Sequence, residues 1–406
     1  MNSNASRRDL FVAFLISYNA FTWSYLTVGI LEKILELSPI QQAAKPTYIA
    51  LYYSALGIFN IVGQLPPKKV GRLNLLYAWA VYGGLVTLLP ALYIDFALTH
   101  LVLFSFILGA SVGIGIPSTL AYLSDVTAVE ERGIISGITL FASYVSLIFL
   151  AIPPLNIVQT SVFYALWRFS VLATLLLRPK KPSAINHEKE PILPLQRRRA
   201  FILYLIPWTM FSFVDQSTKP VVKMKSEMIL HELNILGFLN LAVMIAGALS
   251  CLLGGVLSDR IGRKRTITLA VALLGLAYAV LGLAPYETIF WYYYSIVDGA
   301  AWGILTCTCL FVIWGDLSPK RSREKYYSIG VLPYFLAGVV SFALSDTLAS
   351  ISAERVFYLA CLFLFLSILP LLIASETLPQ EAVEQKLYKK YMKDAKRLRE
   401  RLNGRR

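Results

Sequence analysis

Gly254-Gly-Val-Leu-Ser-Asp259-Arg260-Ile-Gly262-Arg263-Lys264-Arg265 is a short charged loop between two apolar stretches. An earlier loop, Gly63-Gln-Leu-Pro-Pro-Lys-Lys-Val-Gly71-Arg72, repeats its outline at an offset of 191 positions. The offset carries Gly63 onto Gly254, Gly71 onto Gly262 and Arg72 onto Arg263, and it also carries Asp125 onto Asp316 and Arg132 onto Arg323. Five matches at one spacing, all in short connections, mark an internal duplication, and a duplication decides architecture.

Outward from these loops the chain is apolar. It is 57% hydrophobic and 15% charged, with a mean hydropathy of +0.61, against about 45–50% and about 25% for soluble domains. A soluble chain of 406 residues would divide into several domains, each with a polar skin. The 62 charged residues cannot supply those skins. A soluble enzyme, a disordered chain and a collagen-like chain are thereby excluded. A helix needs about 20 apolar residues to cross a hydrocarbon core. Twelve stretches qualify, at 10–30, 47–66, 73–94, 98–122, 134–156 and 158–177, then at 200–220, 235–257, 266–284, 289–314, 327–349 and 354–374. The divide between the fifth and sixth rests on Pro153-Pro154 and Asn156 alone.

The expected fold is an all-α polytopic membrane protein with twelve transmembrane helices in two parallel six-helix repeats. The repeats are parallel because six spans return the chain to the side it started from, and a binding site then belongs between them near the midplane. The expected divisions are an N-terminal bundle over 1–177, a linker over 178–199, a C-terminal bundle over 200–375 and a basic tail over 376–406.

A net charge of +14 in a soluble protein would suggest nucleic acid. Here 31 of the 38 lysines and arginines fall in alternate loops and at the two ends. The remainder are Lys33, Lys45, Arg168, Lys219, Lys223, Lys225 and Arg355. This is the bias that marks cytoplasmic loops. The expected partner is therefore the lipid bilayer of the plasma membrane and not nucleic acid, with both termini cytoplasmic. Ser6-Arg7-Arg8 superficially matches a twin-arginine export signal but lacks the short apolar region and cleavage site of one. Cys251, Cys307, Cys309 and Cys361 all lie inside spans with no histidine nearby, and read as packing residues, not as a metal site.

Gly255-Val-Leu-Ser-Asp259-Arg260-Ile-Gly262-Arg263-Lys264 resembles the loop signature of the major facilitator superfamily, G-x-x-x-D-R-x-G-R-R/K. Glu131-Arg132-Gly133 and Glu376-Thr377-Leu378-Pro379 resemble further features of that family. The first-half loop departs from the signature, with Lys68 where the acid stands. The resemblance implies that spans 1, 4, 7 and 10 line a central cavity, and that Asp259 faces span 5 near Arg132. An acid at the end of span 8 opposes its own helix dipole, which also points it at another helix or a cation. Gly262 permits a tight turn, and Arg263 is a candidate partner of Asp316. Together with Arg72, Asp125, Arg132 and Arg323, these residues form a candidate cytoplasmic gate. The bland alternative is a set of loop charges obeying the positive-inside bias, where an exposed pair contributes about 0–1 kcal/mol.

An ionised side chain at the bilayer centre costs about 2.5–3.5 kcal/mol on insertion scales, so those present face cavities or partners. Asp215 in span 7, Asp298 in span 10 and Arg168 in span 6 are such residues. Trp208, Ser212, Asp215 and Lys219 step along one helix face, with Gln216 beside them. Tyr294, Asp298 and Trp302 share a face of span 10, and span 1 adds Tyr18, Asn19, Thr22 and Trp23. Asp298, with no cation near it in sequence, is the first candidate for proton coupling and Asp215 the second. Asp215 has the alternative of being neutralised by Lys219. Arg168 has two readings, a substrate ligand or a guanidinium snorkelling outward. Trp291-Tyr292-Tyr293-Tyr294 reads mainly as an interfacial belt or as helix packing. Gly109/Gly113 and Gly299/Gly303 allow close helix packing.

No P-loop occurs, and the 22-residue linker is too short for an ATP-binding domain. His100, His187 and His231 form no H-E-x-x-H. Neither an enzyme nor a cofactor is expected. The tail carries Val383, Leu387, Tyr391, Leu398 and Leu402 at helical spacing and reads as solvated. The expectation is a monomeric secondary transporter of a small-molecule substrate, working by alternating access and coupled to protons. An uncoupled facilitator and a sensor that binds without flux are the alternatives. Two aspartates and aromatic rings suit a cation; Lys219 and Arg168 suit an acid.

Overall fold

The computed structural model describes residues 6–65, 71–92, 97–151, 155–177, 195–230, 236–379 and 392. The prolines and lysines at 66–69, His187, His231, most of the linker and almost all of the basic tail lie outside the described residues. Twelve membrane-length segments follow one another: α1 (Arg7–Leu37), α2 (Lys45–Gly63), α3 (Arg72–Leu92), α4 (Leu98–Val126), α5 (Arg132–Ala151), α6 (Ile157–Leu177), α7 (Leu195–Leu230), α8 (Leu236–Ile261), α9 (Arg263–Leu283), α10 (Thr288–Leu317), α11 (Arg323–Ala343) and α12 (Ala353–Ile373). Ten of them are apolar enough to span by composition alone. The others are α2 and α7, and α7 carries charge at both its ends.

The ends of these helices follow from local chemistry. Ser6 opens α1 by accepting from the Asp9 amide at 3.2 Å while the Asp9 carboxylate accepts from the Ser6 amide. Asn156 makes the same reciprocal box with Gln159 and starts α6. Of the punctuation that divides the fifth and sixth spans, Asn156 is thus a helix cap, and Pro153-Pro154 lie outside the described residues.

Two helices are irregular at equivalent places. α4 breaks between Gly113 and Ile116, and α10 widens into a π-helical stretch at Thr306–Val312. Gly115 and Thr306 are related by the same offset of 191. Irregular turns of this kind expose backbone groups and recur at functional sites.

The repeats pack against one another through α2 on α11 and α5 on α8. Glycine makes the second contact close. A Cβ on Gly255 would sit 2.4 Å from the Gly133 carbonyl oxygen, and one on Gly137 would sit 2.5 Å from that of Cys251. Gly109 and Gly113 press on the backbone of α2, while Gly299 and Gly303 press on that of α8, so each repeat uses the same device internally. Cys251, Cys307 and Cys309 are buried and free.

Candidate functional site

The end of the bundle richest in arginine, called here the basic end, holds the charged loops. Asp316, fully buried, accepts from Arg132 and, at 3.0 Å, from Arg263. Asp125 accepts from Arg72 and from Arg323. The offset of 191 turns one set into the other: Arg72–Asp125 becomes Arg263–Asp316, and Arg323–Asp125 becomes Arg132–Asp316. One pair of each set lies within a repeat and the other joins the two repeats. The duplication is therefore expressed as a symmetric ion lattice that joins the two repeats at this end.

Asp259 sits at the N-terminus of α5. Its carboxylate accepts from the Gly133 and Ile134 amides at 3.0 and 2.8 Å and from Arg263 at 2.9 Å. An anion there satisfies two amides that have no partner inside their helix, and it meets the positive end of the dipole. Lys68 replaces this acid in the first repeat, and the compensating acid stands on the other partner: Glu324, at the position equivalent to Gly133, accepts from Arg72. Glu324 was not singled out from the sequence. The signal was present, because Glu324 is an acid among Lys320, Arg321, Arg323 and Lys325.

Gly262 has φ +102°, a left-handed conformation that favours glycine. Glu376 closes over it, accepting from the amides of Arg263 at 2.9 Å and Lys264 at 3.2 Å. A Cβ on Gly262 would lie 2.3 Å from the Glu376 carboxylate, whereas one on Gly71 meets nothing within 4 Å. Gly262→Ala is expected to lower the melting temperature in detergent by several degrees, a strain of about 1–3 kcal/mol. Gly71→Ala should leave it unchanged. Equal melting of the two variants would remove this reading of Gly262.

Above the lattice, α7 and α10 place acid and base together. Lys219 lies 2.9 Å from the Asp215 carboxylate, and it donates to Gln216 Oε1 at 3.0 Å and to the Tyr334 hydroxyl at 3.3 Å. The Trp302 indole donates to the other Asp215 oxygen at 2.7 Å. Asp215 and Lys219 thus form the ion pair that was the alternative for Asp215. Trp208 and Ser212 are buried beneath them, Trp208 facing Tyr334 and Ser212 donating to its own helix. The lysine ammonium is 5.5 Å from the Trp302 and Tyr334 ring centres. Tyr53 of α2 and Tyr25 of α1 come within electrostatic reach of Lys219 from the other repeat. Aromatic residues in membrane helices are mostly packing or belt residues, so no sequence signal separated these tyrosines from the rest.

Asp298 meets the Tyr294 hydroxyl and lies within the field of both Asp215 and Lys219. Asp298 thus has a cation in reach that its sequence neighbourhood lacks: Lys219, on another helix, which pairs with Asp215. Tyr294 shares a 3.1 Å hydrogen bond with Tyr278, which in turn meets Thr218 at 2.8 Å. Tyr294 and Trp291 are buried and only Tyr293 of the pair beside them is exposed, so this run is less a belt than a packing face.

Of its two readings, Arg168 does not follow the snorkelling one. It is 1% exposed and eleven residues into α6, too deep to snorkel. Its guanidinium lies between the rings of Trp79 and Trp23, 4.0 and 4.5 Å from their centres, and donates to Asn19 at 2.7 Å. Trp23 itself donates to Thr87, and Thr22 to the Tyr18 carbonyl. Tyr18 meets Ser146 at 2.5 Å, and with Asn19 it lines a cleft of about 290 Å³ between α1 and α6. The span 1 candidates and Arg168 therefore gather within the first repeat, apart from the Asp215 cluster.

Two six-helix repeats with a charged centre, joined at one end by ion pairs, define a membrane transport fold. The chain belongs to the Major Facilitator Superfamily, whose family profile matches residues 10–313 and 228–401. Solved structures agree in fold. The proton:xylose symporter XylE bound to 6-bromo-6-deoxy-D-glucose has TM-score 0.69 at 15% identity, over 95% of this chain and 99% of its own. The transporter FucP in the outward conformation has TM-score 0.67 at 10% identity, over 91% and 100%. The human organic anion transporter MFSD10 has TM-score 0.63 at 14% identity, over 90% and 99%. No curated protein matches the sequence. The chain is a multi-pass membrane protein of a transporter family.

Proposed function

We propose that this chain is a secondary active transporter that moves a small solute across the plasma membrane by alternating access, driven by protons. The basic end is cytoplasmic, in keeping with the positive-inside bias, and both termini lie on that side. Residues 1–177 and 200–375 move as two rigid halves, the segment 178–199 linking them, and a single chain suffices. With the lattice formed, the inner side is closed and the site belongs to the outer solution.

One observation carries the coupling. Asp215 on α7 pairs with Lys219, and Asp298 on α10 lies within the field of that pair with Lys219 as the one cation acting on it. Two carboxylates cannot both be balanced by one ammonium, and the surplus charge in a dry site is relieved by taking up a proton. Reconstituted vesicles, loaded against the solute that a thermal-shift screen selects, are expected to accumulate it when the outside is more acidic. The accumulation ratio should fall to one or below in Asp215→Asn/Asp298→Asn. A wild-type ratio that never exceeds one would make the protein a facilitator, and binding without any flux would make it a sensor.

A further inference from the structure

We infer that the substrate is a small organic carboxylate that competes with Asp215 for the Lys219 ammonium, so that binding one anion loads one proton. This rests on the transport reading above and adds to it the chemical class of the solute and the order of charges in the site. Three observations support it. The first is which partner is exposed: the Lys219 side chain is 44% exposed and that of Asp215 only 6%. A solute reaching the pair meets the cation, with the acid behind it.

The second is the company Lys219 keeps. Its bond to Tyr334, at 3.3 Å, is its longest and the easiest to exchange for a new acceptor. The Trp302 and Tyr334 rings flank the ammonium and offer flat apolar surface to the body of a solute. The first repeat brings the Tyr25 and Tyr53 hydroxyls within the field of Lys219, and a phenol can donate to a carboxylate. Glu32 lies further along α1, within the field of Lys223. A cationic solute would be repelled by the residue that greets it. A carboxylate is not.

The third is charge balance. In the empty site Asp215 and Lys219 neutralise one another. When a carboxylate takes the ammonium, Asp215 keeps its bond from the Trp302 indole but loses its counter-ion. A buried acid stripped of its partner is costly. The groups facing it do not replace the lost charge: Tyr334 from α11, Tyr53 from α2 and Tyr278 from α9 are neutral, and Asp298 from α10, another acid, brings no positive charge. A proton from the outer solution therefore joins the Asp215 carboxylate. Anion and proton enter together with no net charge, and on release Asp215 gives up the proton as it recovers Lys219.

The test uses the purified full chain in detergent with benzoate and lactate, their amides benzamide and lactamide, and benzylammonium as probes. Thermal shift gives binding, and a pH indicator in weak buffer counts protons. At least one carboxylate should stabilise the protein with uptake of one proton each, and its affinity should rise by about tenfold per unit fall in pH. The amides and the ammonium should do neither. Asp215→Asn should still bind the carboxylate, now without pH dependence or proton uptake, whereas a merely structural Asp215 would lose binding at every pH. Lys219→Met should lose it outright. Preference for an amide or ammonium probe, carboxylate binding without proton uptake, or no carboxylate binding would overturn the inference. The two readings fail separately. Gradient-driven uptake of a neutral probe would sink the carboxylate and keep the transporter. Proton-linked carboxylate binding with no flux in vesicles would do the reverse.

Discussion

Asp316→Ala is expected to open the basic end. The aspartate is fully buried and holds Arg132 and Arg263 at once, one from each repeat. Without it, two guanidinium groups remain inside the lattice. Arg263 keeps Asp259 and the Ser258 and Val129 carbonyls, while Arg132 keeps only the Ser124 and Thr127 oxygens. Removing one partner of a buried pair costs about 3–5 kcal/mol. The hydrogen bonds that survive place this case near the lower figure, still a shift of about a hundredfold against the closed arrangement. Cys307 provides a native reporter. It is fully buried behind the seal, with its sulfur 3.5 Å from the Gly133 carbonyl. In a background where Cys251, Cys309 and Cys361 are serine, a maleimide should leave Cys307 untouched in the wild type and label it readily in Asp316→Ala. Equal labelling of both would show that the lattice does not seal this end.

Gly255→Leu is expected to produce the same open state by a different force. A Cβ there would approach the backbone of Gly133 and Ile134 to between 2.4 and 3.2 Å, and backbone cannot step aside as a side-chain tip can. Only separation of α5 from α8 makes room, which also draws Asp259 away from the two amides it caps. Overpacking costs typically about 1–3 kcal/mol, here with the loss of those charge-assisted bonds in addition. Uptake should fall below about a tenth of wild type, a loss of roughly 1.4 kcal/mol or more in the closed state. The chain should still purify as a folded species. Gly29→Ala is the control, because a Cβ there meets nothing within 4 Å. Normal uptake by Gly255→Leu would exclude the α5–α8 contact from the cycle.

What the sequence made legible was whatever local pattern or duplication carries. Asp259, Arg263 and Gly262 stand out in one loop, and the offset of 191 relates the arginines and aspartates of the basic end, of which Arg263 with Asp316 is the one pair the sequence proposes. Asp215 and Lys219 are four apart on one helix and had to be neighbours. Contacts between distant segments were another matter. Arg72 with Glu324, Asn60 with Ser328 and Lys219 with Tyr334 join residues whose proximity only packing decides. Arg168 stands out in the sequence as an intramembrane cation, but its setting does not, because its two indole partners come from α1 and α3. The candidates of span 1 were grouped with Asp215 by their place on a cavity helix; their side chains turn into the first repeat.

The measurement that bears most directly on the cycle is a pair of distances taken together. Spin labels at Glu131 and Arg260, exposed at the basic ends of α5 and α8, report one side. Labels at Glu36 and Lys223, exposed toward the far ends of α1 and α7, report the other. Wild type should give a short first distance and a long second one, and Asp316→Ala should reverse both. Lengthening of the first with the second unmoved would mean that breaking the lattice merely loosens one end, and would contradict alternating access by rocking halves.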